Sequence, residues 1–426
     1  MKKTLSILYT ILLFLFVFPS GTVLHVPVKI ITMVLLLFFY ILYRRKIVID
    51  DLTKGILFIF LGFIIWSLFA IVNGYLTSTL KLSVNFVSLF LIVWITYEFY
   101  QNKIIESKKI LKIVTIVSIL IIVFNILVSL ALSANILNVD SFYDFYNLFF
   151  NAAPMTVLVN LGSISLYRVQ MANNTIPFIW LGYSLVSDHK ILYKFFAIVM
   201  VGILAVISFS RVLIAEYFVL LLGSLIIRIL QNSKKTKDEA ISIGFTAVVI
   251  TLVLGFAIFR YGGVAIDYIQ MRFNSNLTDF SDSFRDIQRE YLQVGFGESP
   301  LFGHGAGSYV REYIRSSSDP YTYELEYLSF LYQYGLIGFI WVIGGTIALF
   351  YYICLNRTDN FNIKLLVILN LTIWAIKPLY NPSFLSSNSG IIISIIFLYS
   401  HQKEPSLEFV SKKQHIDEKL VEVSNT

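Results

Sequence analysis

Between positions 279 and 327 the sequence sets charged side chains at spacings that could hold an anion and move a proton. Arg285 and Arg289 are four residues apart, as are Arg311 and Arg315, and on a helix that spacing shares a face. Guanidinium is planar and always charged, and it donates in a fork that fits phosphate bidentately. Glu324 and Glu326 follow at the start of an apolar run, with Tyr327 beside them; a carboxylate there is either solvated or held for proton transfer. His304 lies within Gly303-His304-Gly305-Ala306-Gly307, a backbone that can approach a ligand closely or merely turn tightly. Upstream, Arg211 follows Ser208-Phe209-Ser210, and Glu216 lies about one and a half turns further on. Charges inside an apolar run are costly and read as functional by default. The plain alternative is a snorkelling Arg211 and a Glu216 paired with it or with another apolar segment.

Local elements must position these groups. Ser283 followed by Asp286 reads as a helix start, after which Phe284, Ile287 and Tyr291 form an apolar stripe and the two arginines share another face. That pattern predicts a helix lying on the protein or on a membrane. Gly295 and Gly297 are expected to end it, and Pro300 prevents its continuation. A second short helix over 309–315 would put Arg311 and Arg315 on one side, with Tyr309 and Tyr313.

Composition sets the wider frame. Of 426 residues, 57% are hydrophobic and only 14% charged, which excludes an ordinary soluble enzyme. The single cysteine, Cys354, excludes an intramolecular disulfide and any multi-cysteine metal site. Apolar runs of bilayer-spanning length predict an all-α polytopic membrane protein with about twelve spans, over 4–20, 28–43, 55–72, 82–97, 110–133, 175–186, 191–210, 212–230, 241–259, 326–355, 365–377 and 389–399. Residues 1–400 would form one integral membrane domain, and 401–426 a polar cytoplasmic tail, expected to be disordered. With both termini inside, lysine collects on the inner loops, as the positive-inside rule requires. Two outer loops, about 134–174 and 260–325, are long enough to be functional, and the second is expected to carry short helices. The segment 154–166 is apolar enough for a re-entrant stretch or a further span.

Eight of the twelve arginines fall on the outer side, against three of the lysines. The bias suits a phosphate-bearing ligand at the outer surface, although the loop over 262–323 is net acidic, so arginines that merely order loops are the competing reading. There is no P-loop, zinc-protease helix or dinucleotide fingerprint, so no cofactor or metal is expected. Nor is a nucleic-acid partner.

Taken in order, these residues resemble the O-antigen ligase and polysaccharide polymerase superfamily of bacterial membrane glycosyltransferases. Ser210-Arg211 is similar to the family's Ser-Arg-Gly, with Val212 in the glycine's place. Arg285 ahead of Ser299-Pro300-Leu301-Phe302-Gly303-His304-Gly305-Ala306-Gly307 resembles its Arg and Pro-Leu-x-Gly-x-Gly-x-Gly. Glu324-Leu325-Glu326-Tyr327-Leu328, then Tyr334-Gly335-Leu336-Ile337-Gly338, resembles its His-Asn-x-Tyr-Leu and Gly-Leu-x-Gly. A looser match is Arg168 with Asn173-Asn174. Glu324 occupies the position of the ligase histidine, which points to the polymerase branch.

The resemblance implies an oligosaccharide repeat on polyprenyl pyrophosphate as substrate, at the outer face of a bacterial cytoplasmic membrane, with a repeat-unit flippase and a chain-length regulator as partners. Arg211 and Arg285 would clamp the pyrophosphate, assisted by Arg289 or Arg168, with Arg311, Arg315 and Tyr327 as further binding groups. Glu324, Glu326 or His304 would take the acceptor's proton. The alternatives are a ligase that moves finished glycan to another acceptor, and a transporter of lipid-linked sugars.

Overall fold

The computed structural model describes residues 1–401 apart from 19–22, 25, 45–48, 151–154, 162–163, 172, 188, 209, 231–274, 317–318, 357, 359 and 381. Along the described chain run α1 (Lys2–Leu15), α2 (Val28–Arg44), α3 (Asp51–Val72), α4 (Leu76–Gln101), α5 (Ser107–Ser133), α6 (Val139–Phe150), β1 (Met155–Leu161), β2 (Ile164–Gln170), α7 (Ile176–Val186), α8 (Ile191–Ile207) and α9 (Arg211–Leu230). After 231–274 follow α10 (Ser275–Glu298), α11 (Glu326–Gly338), a π-helical stretch (Phe339–Gly344), α12 (Gly345–Leu355), α13 (Phe361–Ile376), a 3-10 turn (Lys377–Leu379) and α14 (Ser387–Ser400). Each of the eleven apolar runs on described residues is a helix. Six are long and apolar enough to cross a membrane: α3, α4, α5, α9, α11 through α12, and α13 with its 3-10 turn. The expected span over 241–259, the start of the second outer loop and the tail after 401 lie outside the described residues.

The helix α14 is buried along nearly its whole length, as expected of a helix apolar all round. It packs on α4 without a side chain between them at Gly390, where a Cβ would stand 2.8 Å from the Leu89 carbonyl oxygen. Polar groups on this seam satisfy one another: Thr96 donates to the Ser394 hydroxyl at 3.0 Å, and Tyr9 of α1 meets Thr96 at 2.7 Å.

Three expectations need correction. The chain is not wholly helical, because β1 and β2 pair antiparallel from Met155↔Gln170 to Leu161↔Ile164. The described part of the stretch read as re-entrant or spanning, 154–166, is thus β1 and the start of β2. Hydropathy does not separate a short buried strand from a helix, and β-branched Thr156, Val157, Val159 and Ile164 favour the strand. The hairpin is held on the end of α5, where Ser129 donates to the Tyr167 carbonyl at 2.7 Å and the Tyr167 N–H donates to Ser133 at 3.0 Å.

Second, α10 is a long helix rather than a short one. It covers Ser275–Glu298 and runs through both glycines expected to end it. Gly295 is there for packing, since a Cβ would sit 2.5 Å from the Tyr332 ring of α11. Third, 309–315 is not helical. Side chains take its backbone groups instead: the Val310 N–H donates to the Tyr323 hydroxyl at 3.0 Å, and Tyr75 donates to the Tyr309 carbonyl at 3.3 Å.

The glycine-rich loop after α10 is sewn into a break in α11. Gly335 there has φ +59°, ψ −174°, which interrupts the helical ladder. The loop supplies the missing bonds. His304 and Gly305 donate to the carbonyls of Tyr332 and Gln333 at 3.0 and 2.7 Å, while Leu336 and Ile337 donate to those of Pro300 and Leu301 at 2.8 and 3.1 Å. The Ala306 N–H donates to the Trp66 carbonyl of α3 at 3.0 Å, and the Thr79 hydroxyl of α4 to the Ala306 carbonyl at 2.9 Å. Non-helical backbone at the level of a spanning helix is thereby satisfied inside protein.

Candidate functional site

The site grows from the partly buried face of α10. Arg285 and Gln288, one turn apart, both hold Glu324: the Arg285 Nε donates to Glu324 Oε2 at 2.8 Å, and the Glu324 N–H donates to the Gln288 side-chain oxygen at 2.9 Å. Arg315 donates to the other carboxylate oxygen, Oε1, at 2.7 Å. The two guanidiniums thus approach the two oxygens of one carboxylate. The loop behind it is fixed by Tyr323, whose hydroxyl accepts from Val310 and donates to the Tyr313 carbonyl at 3.3 Å. Burial pushes the Tyr323 phenol up to about 12, so it stays a neutral O–H near pH 7.

One turn beyond Arg285, Arg289 pairs with Asp286 on its own helix at 2.5 Å and remains half exposed. It borders a cleft of about 190 Å³ with Gln293, Leu325, Tyr327, Leu328 and Leu379. The Tyr327 ring lines this cleft, and its hydroxyl donates to the Ala375 carbonyl of α13. The arginine–carboxylate cluster and the cleft therefore share α10 and the entrance to α11.

Each of the three base candidates is engaged. Glu324 has a guanidinium on each oxygen. Glu326, although only two residues on, faces the other way and is buried; it accepts the N–H groups of Ser383 at 2.7 Å and Phe384 at 2.9 Å, which anchors the link into α14. His304 Nε2 lies 2.8 Å from the Gly295 carbonyl, so that nitrogen carries the proton. Its ring stacks on Tyr332, with centroids 4.4 Å apart, and Glu298 is 4.0 Å away. The close approaches of the glycine-rich loop are to the chain itself: a Cβ on Gly303 would be 2.4 Å from the Gly335 nitrogen, and one on Gly305 2.4 Å from that of Ala70.

The remaining expected residues lie on the following elements. Arg311 lies over the Tyr75 ring at 5.4 Å, so it does not act as a helical pair with Arg315. Arg168 is on β2 opposite Val157. The two asparagines after it are structural: Asn174 and Asn125 of α5 exchange amide hydrogen bonds at 3.1 and 3.3 Å, and Asn173 donates to the Phe16 and Val17 carbonyls that end α1. Arg211 is the first residue of α9.

Glu216 pairs across the bundle, with Lys377 at 3.6 Å, both nearly fully buried. Lys377 also donates to Thr175 at the start of α7. Sequence reasoning missed Lys377, taking it as the last residue of a span, and missed Gln288. For the glutamine, its three-residue offset from Arg285 was the available signal; Lys377 carried none beyond being a charge at an apolar run's end.

No family model matches the chain, and no curated protein does either.

Proposed function

We propose that this protein polymerises oligosaccharide repeats carried on polyprenyl pyrophosphate, at the outer face of a bacterial cytoplasmic membrane that it crosses about twelve times with both termini inside. The observation that carries the reading is Glu324 held between Arg285 and Arg315, beside the cleft of Arg289 and Tyr327. Fixed guanidiniums aimed where charge develops are what loss of a pyrophosphate group requires. In the reaction an acceptor hydroxyl oxygen bonds to the anomeric carbon of the growing glycan. The bond from that carbon to the pyrophosphate oxygen breaks, both electrons leave with pyrophosphate beside the arginines, and the hydroxyl proton passes to a base. The order of the Ser210-Arg211, Arg285 and Glu324-to-Gly338 motifs supports the same reading.

Glu324 also bears on the branch of the family. It occupies the ligase histidine's position, and its lone pairs are used to hold arginines, which supports a polymerase over a ligase. The discriminating experiment is a gel of surface polysaccharide from cells lacking the protein, complemented with wild type or Arg285→Ala. Single lipid-linked repeats in place of a ladder, not rescued by Arg285→Ala, are the expected result. Full-length glycan stranded on its carrier would mean a ligase, and repeats trapped on the cytoplasmic side a transporter.

A further inference from the structure

Among the described side chains of α10, from Ser283 on, three faces can be told apart, and one of them is buried against the protein. Gln288, Leu292 and Gly295 are buried, with Arg285 beside them. Asp286, Arg289, Glu290 and Gln293 make a polar face. Between these, on the remaining side, Phe284, Ile287, Tyr291 and Val294 recur at i, i+3, i+7 and i+10 and are each 38–63% exposed. Of the two placements the periodicity allows, on the protein or on a membrane, the exposure of the stripe fits the second. Its outward position means that α10 presents an apolar stripe and a charged face to two different surroundings, which is the pattern of a helix lying in a membrane interface.

The stripe does not end with the helix. Leu301 and Phe302 continue it and are more than half exposed, and the Phe302 carbonyl accepts from Trp66 Nε1 of α3 at 2.6 Å. Around that junction the exposed surface of α3 is Leu68, Phe69 and Val72, and that of α11 past its break is Leu336 and Ile337. α3 and the run from α11 through α12 are each long and apolar enough to span a bilayer. The apolar edge of α10 is thus continuous with the exposed apolar surface of those spans near the end of α3.

We infer that α10 lies in the plane of the outer leaflet, with Phe284, Ile287, Val294, Leu301 and Phe302 sunk among the lipid acyl chains, Tyr291 at the edge of the stripe where its ring stacks on Tyr313 at 5.5 Å, and its polar face in water. The partner of this face is the bilayer lipid itself. One consequence is that Arg285 and Glu324 sit at headgroup depth, so that a phosphate held there enters from within the membrane plane. The inference stands on exposure and continuity and does not require the polymerase reading.

The experiment uses the full chain in nanodiscs of phosphatidylethanolamine and phosphatidylglycerol. Buried Cys354 is replaced by Ala, and single spin labels are placed at Ile287→Cys, Val294→Cys, Asp286→Cys and Gln293→Cys, all at exposed positions that leave the core intact. Labels at 287 and 294 should collide several-fold more with oxygen than with a water-soluble nickel chelate, and those at 286 and 293 the reverse. Equal nickel access at all four positions would overturn the inference by showing a solvated helix. Labels at 287 and 294 shielded from both reagents would also overturn it, by showing that protein covers the stripe. As a second reading, Ile287→Trp should show quenching by lipids brominated in their acyl chains beyond that of the five native tryptophans in wild type; no added quenching would overturn the inference even if labelled variants misfold.

Discussion

A carboxylate shared by two arginines can act on a proton or on the arginines, and the pairing of both Glu324 oxygens favours the second task. With one guanidinium on each oxygen it keeps two like charges close together and oriented. Glu324→Gln should therefore lower polymer yield while leaving the shape of the pH–rate profile unchanged, because no titrating group of the reaction is lost. Disappearance of one limb of that profile would make Glu324 the base instead. For stability, a double-mutant cycle of Arg285→Gln with Glu324→Gln should give a coupling of about 0.5–1 kcal/mol, the scale of a partly exposed pair. Tyr323 supports the same loop, and Tyr323→Phe removes the hydroxyl that receives the buried Val310 N–H, which should cost about 1–3 kcal/mol in thermal unfolding. The pH dependence has a definite sign. Burial raises the Tyr323 phenol from 10 to about 12, so the folded state favours the neutral form; this contribution is full below pH 10 and is lost as pH rises through that window. Wild type should lose more stability over that interval than Tyr323→Phe.

At the scale of elements, the loop threaded through α11 decides how α10 is set against α3 and α4. Gly303 and Gly335 face each other with positive φ, and a Cβ on Gly335 would stand 2.4 Å from the Leu301 carbonyl carbon. Gly335→Ala should cost about 2–5 kcal/mol, from left-handed strain and overpacking together, read as a lower melting temperature or loss of folded protein. Gly297→Ala is the contrast, since nothing lies within 4 Å of its added carbon and it sits in helix; stability there should rise by up to about 1 kcal/mol. A Gly335→Ala protein as stable as wild type would undo the account of the stitch. The glycine run was legible as a tight backbone, but not what it approaches, because that surface comes from residues about 30 positions downstream and more than 200 upstream. The same limit explains 309–315: four-residue spacing describes a face only if a helix forms, and here tyrosines far along the chain take the backbone groups.

Across the whole molecule, apolar runs marked the helices to within a few residues at α3, α5 and α9, since hydropathy over a bilayer's length is a local property. What joins them is not local. Lys377, at the end of α13, reaches both α9 and the start of α7, pairing with Glu216 and donating to Thr175, and it borders a small chamber with Asn370, Ser383 and Asn388. Charges removed from water are expensive unless paired, so breaking such a pair costs more than deleting it whole. Lys377→Met alone should leave the buried Glu216 uncompensated and destabilise the protein by about 3–5 kcal/mol. The double variant Lys377→Met with Glu216→Gln should recover a large part of that loss. The measurement is thermal unfolding of each purified variant in the same detergent, with Glu216→Gln alone completing the cycle. If the two single losses simply add in the double variant, the pair does not hold the bundle together. A strong coupling with polymer synthesis unimpaired in the double variant would make it a structural tie; a strong coupling with synthesis abolished would join Lys377 and Glu216 to the function of the neighbouring cleft, whose edge Leu379 lies two residues from Lys377.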